Sequence, residues 1–126
     1  MPVRQIRIAV GKVELTAELR NTATANAIYA QLPIRSKAQT WGDEIYFSVP
    51  VAAKLEKDAK QIVEPGELAF WVQGSSIAIG FGPTPISQGN EIRLTTKANI
   101  WATTADDVKK LKQAQEGDPI TVEAMP

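Results

Sequence analysis

The sequence predicts a mainly β protein, an antiparallel barrel with two or three short helices. Short runs of alternating apolar and polar residues recur along the chain, separated by turns rich in Gly and Pro. The regular strand–helix alternation of a parallel βαβ protein is absent. The first two runs also form a hairpin in which side-chain pattern and turn chemistry agree on one register. At 126 residues the chain is expected to be one domain, residues 1–126, with one core.

That hairpin joins Val3–Val10 to Val13–Leu19. Ile6, Ile8 and Val10 share one face of the first strand; Val13, Leu15, Ala17 and Leu19 share one face of the second. A two-residue turn at Gly11-Lys12 sets Val10 opposite Val13 and Ile8 opposite Leu15, and Gly at the first central position suits a type II′ turn. A helix follows, capped by Asn21 or Thr22, with Ala25, Ile28, Tyr29 and Leu32 at helical spacing and Pro33 as its stop. Ile34–Thr40 reads as a polar connector. From Glu44 the pattern alternates, with Ile45, Phe47 and Val49 on the core face and Glu44, Tyr46 and Ser48 on the other.

Val51–Val63 is expected to hold a short, mostly exposed helix supported by Glu56 and Lys60 at i, i+4. Pro65-Gly66 is a type II turn. Leu68–Val72 and Ile77–Phe81 form a second hairpin; both strands are apolar on both faces, as in a covered sheet. Glu91–Leu94 and Asn99–Ala102 are two further short strands. A last helix is capped by Thr104, carries Asp106 and Asp107 at its positive end, and finishes at Gly117. Ile120 and Val122 mark the final strand.

Composition removes several chemistries. Lys+Arg and Asp+Glu are balanced at 14 each, so no net field draws nucleic acid or an anionic membrane, and neither is expected as a partner. The chain has 0 Cys and 0 His, which excludes disulfides, the usual zinc sites and Cys- or Ser-His nucleophiles. Any acid–base group must be Asp, Glu, Lys or Tyr. No cofactor and no bound metal are expected. With no apolar run long enough for a signal segment or membrane span, a cytoplasmic location is the default expectation. Nothing in the sequence forbids a homo-oligomer.

Three stretches hold the candidate ligand-binding residues: Thr40, Trp41, Asp43, Glu44 and Tyr46 in the first, Phe81 and Pro83 in the second, Arg93 in the third. Glu44 shares a strand face with Tyr46, and a carboxylate in a groove needs a nearby cation to stay ionised. Arg93 is the expected partner. The pair reads either as a strap between strands or as an Arg poised to grip a ligand carbonyl or carboxylate. Trp41 is a groove wall or a core ring, and Phe81 with Pro83 and Pro85 an apolar floor or a rigid turn. Trp71 and Trp101, in apolar strands, read as core.

The runs Thr40-Trp41-Gly42-Asp43-Glu44-Ile45-Tyr46-Phe47, Glu67-Leu68-Ala69-Phe70-Trp71, Phe81-Gly82-Pro83-Thr84-Pro85 and Asn90-Glu91-Ile92-Arg93 resemble the small, uncharacterised prokaryotic cyclophilin-like proteins. The resemblance spans nearly the whole chain and implies a closed eight-stranded cyclophilin-type barrel with helices at its ends. It does not carry isomerase activity across: the Phe-His-Arg and Phe-Met-x-Gln-Gly-Gly runs of authentic prolyl isomerases are missing. The expected function is binding of a small polar or peptide-like ligand in a surface groove, with a divergent peptidyl-prolyl isomerase as the alternative. A carboxylate-based enzyme and a purely structural subunit are further readings.

Overall fold

The computed structural model describes residues 3–126. Its ten strands are β1 (Gln5–Val10), β2 (Val13–Leu19), β3 (Ile34–Lys37), β4 (Gln39–Thr40), β5 (Glu44–Ser48), β6 (Lys60–Val63), β7 (Glu67–Trp71), β8 (Ser76–Gly80), β9 (Ile92–Thr103) and β10 (Pro119–Ala124). One α-helix, α1 (Ala23–Ala30), and one 3-10 helix (Val108–Gln113) complete the described elements. Neighbouring strands run in the order β3-β10-β1-β2-β9-β7-β8-β5-β4, all antiparallel, with β6 paired to β9 off this path. The two ends of the path, β3 and β4, are separated only by Ala38. Taken as one strand bent at that buried residue, they complete an eight-membered circuit, the barrel the sequence predicts.

The first hairpin has the expected register, with Val10 opposite Val13, Ile8 opposite Leu15 and Ile6 opposite Ala17. Gly11 has φ +59° and Lys12 does not share the positive-φ region, as a type II′ turn requires. Inside the barrel, Ile6, Ile8, Leu15, Phe47, Phe70 and Trp101 are fully buried in one cluster. The Trp101 indole N–H donates to the Ala69 carbonyl at 3.2 Å, so its burial leaves no orphan donor. Helix α1 is capped by Thr22, whose hydroxyl accepts from the Ala25 amide at 3.1 Å, and packs Ala25 and Ile28 into the same core. No helix among the described residues is long and apolar enough to cross a membrane.

Four local expectations give way to tertiary pairing. Ile34–Lys37 is not a connector but strand β3, set against β10 with Ile34 opposite Val122. Its single buried apolar residue, Ile34, followed by outward Arg35 and Lys37, is too sparse a pattern to announce a strand. Val51–Ala59 is irregular rather than helical. There the fully buried Asn99 amide donates to the Lys54 carbonyl at 2.8 Å and accepts from the Glu56 amide at 2.8 Å. Glu56 is drawn to Thr24, accepting from its hydroxyl at 2.6 Å, while Lys60 pairs with Glu67 at 2.7 Å, so the i, i+4 pair never forms. Glu91–Leu94 and Asn99–Ala102 lie within or beside one twelve-residue strand, β9. The last helix is 3-10 and capped by Asp107; Thr104 instead donates to the Thr16 carbonyl at 2.6 Å, tying this segment to β2.

Candidate functional site

Alternation along β5 sends Ile45 and Phe47 into the barrel and Glu44 and Tyr46 onto its outer face. Cross-strand partners on that face are small: Glu44 stands opposite Gly80, and Tyr46 opposite Ala78. The adjoining strand adds Ala69 and, at its end, Trp71. A stripe of small residues between large ones leaves a hollow in the outer surface of the sheet.

The hollow is roofed by β6 and the first half of β9. Val63, Ile92 and Leu94 from this flap pack with Ala69, Ala78 and Ala98 as a second hydrophobic cluster outside the barrel. The β6–β9 ladder is irregular: Ile62 pairs with Arg93 and Lys60 with Ala98, so β9 spends extra residues where β6 does not. This bulge re-aims Leu94, Thr95 and Thr96 over the sheet, and Gln61 pins it by donating to the Leu94 carbonyl at 2.9 Å. Beneath it lies a cavity of about 230 Å³. Trp41, Glu44, Tyr46 and Trp71 form its polar and aromatic walls; Ala78 and Ala98 are its small residues. The Tyr46 and Trp71 rings meet edge to face, centroids 6.4 Å apart and planes at 84°.

Glu44 sets the electrostatics. It is 6% exposed, and its Oε1 is buried without a hydrogen-bond partner. Burial alone pushes its carboxyl from 4.5 up to about 7, with no neighbouring cation to oppose the effect. An unsatisfied buried carboxyl oxygen is costly, and native proteins leave few polar atoms in that state.

Trp41, Glu44 and Tyr46 are thus brought together, and the other five candidate residues stand elsewhere. Arg93 does not meet Glu44. Ile92 and Leu94 turn toward the cavity cluster, so alternation carries Arg93 to the opposite face, where its guanidinium hydrogen-bonds to Glu91. That bond, followed by one from the Gln88 amide, lowers the Glu91 carboxyl below the usual range. Phe81 packs in the barrel core rather than flooring a groove. Thr40 is exposed and donates its amide to Glu116 at 2.9 Å.

Asp43 and Pro83 belong to a clamp that braces the site. The Asp43 amide donates to the Pro83 carbonyl at 3.0 Å, and the Phe81 amide donates to the Asp43 carbonyl at 2.8 Å. Gly42, at φ +59°, has no room for a Cβ, which would sit 2.8 Å from Pro85 Cδ and 3.0 Å from Thr84 Cα. Thr84 continues the clamp by donating its hydroxyl to the Arg93 carbonyl at the start of β9. The runs at residues 40–47 and 81–85 therefore fit against each other through this clamp.

Trp71 corrects the core expectation: it shares its strand face with Ala69, outside the barrel, and is only half-buried. The sequence held a usable signal, since Ala69, Ala78 and Gly80 are all small on one face of strands whose other face is bulky.

The match to known proteins accords with this architecture. The family model described as cyclophilin-like matches residues 4–123. The chain belongs to the cyclophilin-like family. Among solved structures it is similar to a hypothetical protein of Archaeoglobus fulgidus determined in solution, with 36% identity, a TM-score of 0.81, and coverage of 96% of this chain and 94% of that one. Comparison with curated proteins gives no match. The cyclophilin-like assignment thus carries a fold, and the archaeal relative, being hypothetical, brings no activity with it.

Proposed function

We propose that this cyclophilin-like barrel is a binding module whose ligand occupies the cavity between the outer face of β5, β7 and β8 and the β6–β9 flap. The observation that carries the reading is the buried, unpartnered Glu44 Oε1 on the wall of an aromatic-lined hollow. A purely structural packing defect fits poorly, because the same fold position filled by a hydrophobic residue avoids the cost. Concave, mostly apolar sites with one well-placed polar group are typical of small-ligand binding.

Prolyl isomerisation is the less supported alternative. Stabilising a twisted amide calls for a strong donor beside an apolar proline pocket. Among the described residues lining this cavity there is no Arg or Lys, and Arg93 lies on the far face of β9.

The test fills the hollow from its floor. Ala78→Leu adds bulk into empty space, so the fold is expected to tolerate it. Fragments that raise the melting temperature of the wild-type protein are expected to lose that effect in the variant. Undiminished shifts in Ala78→Leu place binding somewhere else and remove the proposal.

A further inference from the structure

We infer that the ligand of this cavity is a small organic cation bearing a protonated amine, gripped by Glu44 and enclosed by Trp41, Tyr46 and Trp71. The inference rests on the cavity being a binding site and names the chemistry it selects.

The aromatic and carboxyl walls are electron-rich, and the other polar lining residues, Thr95 and Thr96, are neutral. Three of the lining residues are aromatic, and aromatic faces attract ammonium groups through the ring quadrupole. Tyr46 and Trp71 stand nearly perpendicular, at 84°, and so form two walls of a corner rather than a flat stacking shelf. A corner encloses a compact, rounded head group; a shelf suits a planar one. Among the described residues no Lys or Arg lines the cavity, so the protein supplies no counter-charge of its own.

Glu44 refines the choice. Its orphaned Oε1 lacks a donor, and an N–H from the ligand supplies one. That requirement selects a primary, secondary or tertiary ammonium over a quaternary one, which has no N–H. Besides the Thr95 and Thr96 hydroxyls, the remaining lining is the hydrocarbon of Ala78, Leu94 and Ala98, which suits the carbon skeleton of an alkyl or cyclic amine. At about 230 Å³ the space is below the ~300–1,000 Å³ of drug-sized sites, so the ligand is small. A neutral carbonyl ligand, accepting from a protonated Glu44, is the competing chemistry. It satisfies Glu44 but gives the three aromatic walls no role beyond contact area.

The groups facing Glu44 are few. Tyr46 is the other titratable residue on the cavity wall, and Asp43 adjoins on the chain. Gly80 and Ala78 of β8 bring none; on β7 Glu67 shares the outer face but is paired with Lys60 of β6 at 2.7 Å, and on β9 Lys97 is exposed and outside the lining. Amine binding is therefore expected to strengthen as pH rises through about 7 and the carboxylate forms, whereas carbonyl binding weakens.

Cyclohexylammonium, cyclohexanol and cyclohexanone serve as matched probes, titrated into wild-type protein, Glu44→Gln and Tyr46→Leu. Retention of the Trp101 indole signal confirms that each variant is folded. The ammonium is expected to bind at least about tenfold more tightly than either neutral probe, the effect of one charge-assisted hydrogen bond. Both variants are expected to erase most of that margin. Neutral probes binding as well as the ammonium, or a margin untouched by Glu44→Gln, overturn the amine assignment while leaving the cavity a binding site. If no probe binds, the amine assignment falls; if the wider fragment set of the Ala78→Leu experiment also gives no cavity-dependent shift, the binding reading falls with it.

Discussion

Glu44→Gln separates the wild-type and variant stability curves in a way that follows directly from burial. The Glu44 carboxyl is held at about 7 in the folded chain against an ordinary 4.5. The unfolded chain therefore releases this proton first as pH rises. Between those two values the folded state binds more protons than the unfolded one, and stability falls with increasing pH. The benefit of a neutral Glu44 is fully present below 4.5 and lost once pH passes about 7. At roughly 1.4 kcal/mol per tenfold change in protonation, the loss amounts to about 3 kcal/mol. The substituted glutamine does not titrate and keeps the shape of the protonated acid, so the variant escapes this loss. Urea denaturation at pH about 5 and about 8 measures it, using ΔG extrapolated to water. The two proteins are expected to be close in stability at the lower pH, with the variant about 3 kcal/mol more stable at the higher. Asp58, Glu91 and Glu116 have lowered values and act on the acid side, losing their contribution as pH falls, so they leave this window to Glu44. Parallel curves for the two proteins refute the reasoning, because they require a Glu44 that titrates as if in water.

Other substitutions probe the supports around the cavity. Gly42→Ala forces a left-handed backbone and a Cβ against Thr84 and Pro85, and is expected to cost about 1–3 kcal/mol by thermal or chemical denaturation. Asn99→Ala leaves the Glu56 amide and the Lys54 carbonyl without their buried partner and is expected to cost about 2–4 kcal/mol, with earlier proteolysis in the Val51–Ala59 segment. Arg93→Ala is expected to leave fragment binding unchanged in the same melting assay, since its side chain faces away from the hollow.

Legibility of the fold followed the range of the interactions that make it. The β1–β2 hairpin was readable to the residue because turn and strand pattern lie within one short stretch. The inward run of Ile45 and Phe47 was readable for the same reason. Strand β3 was not, because its identity depends on β10, more than eighty residues later along the chain. The Val51–Ala59 segment misled because its helix-forming residues yield to a single buried Asn99 that no local pattern announces. At the site, Trp41, Glu44 and Tyr46 were marked by clustering and alternation. Arg93 was assigned to Glu44 by complementary charge, yet strand parity sends it to the other face, where Glu91 is closer in both sequence and space. Leu94, Thr95 and Thr96 reach the cavity through a bulge, and an irregular register leaves no periodic trace in the sequence.

The three tryptophans offer the most direct test that the outer-face cavity is a binding site. Trp41 and Trp71 line it, whereas Trp101 is fully buried in the barrel with its indole N–H on the Ala69 carbonyl. Titrating small organic fragments while recording the three indole N–H resonances separates the two environments. Binding in the cavity moves the Trp41 and Trp71 signals and leaves Trp101 in place. Fragments that bind yet leave both of the first two signals unmoved contradict the account.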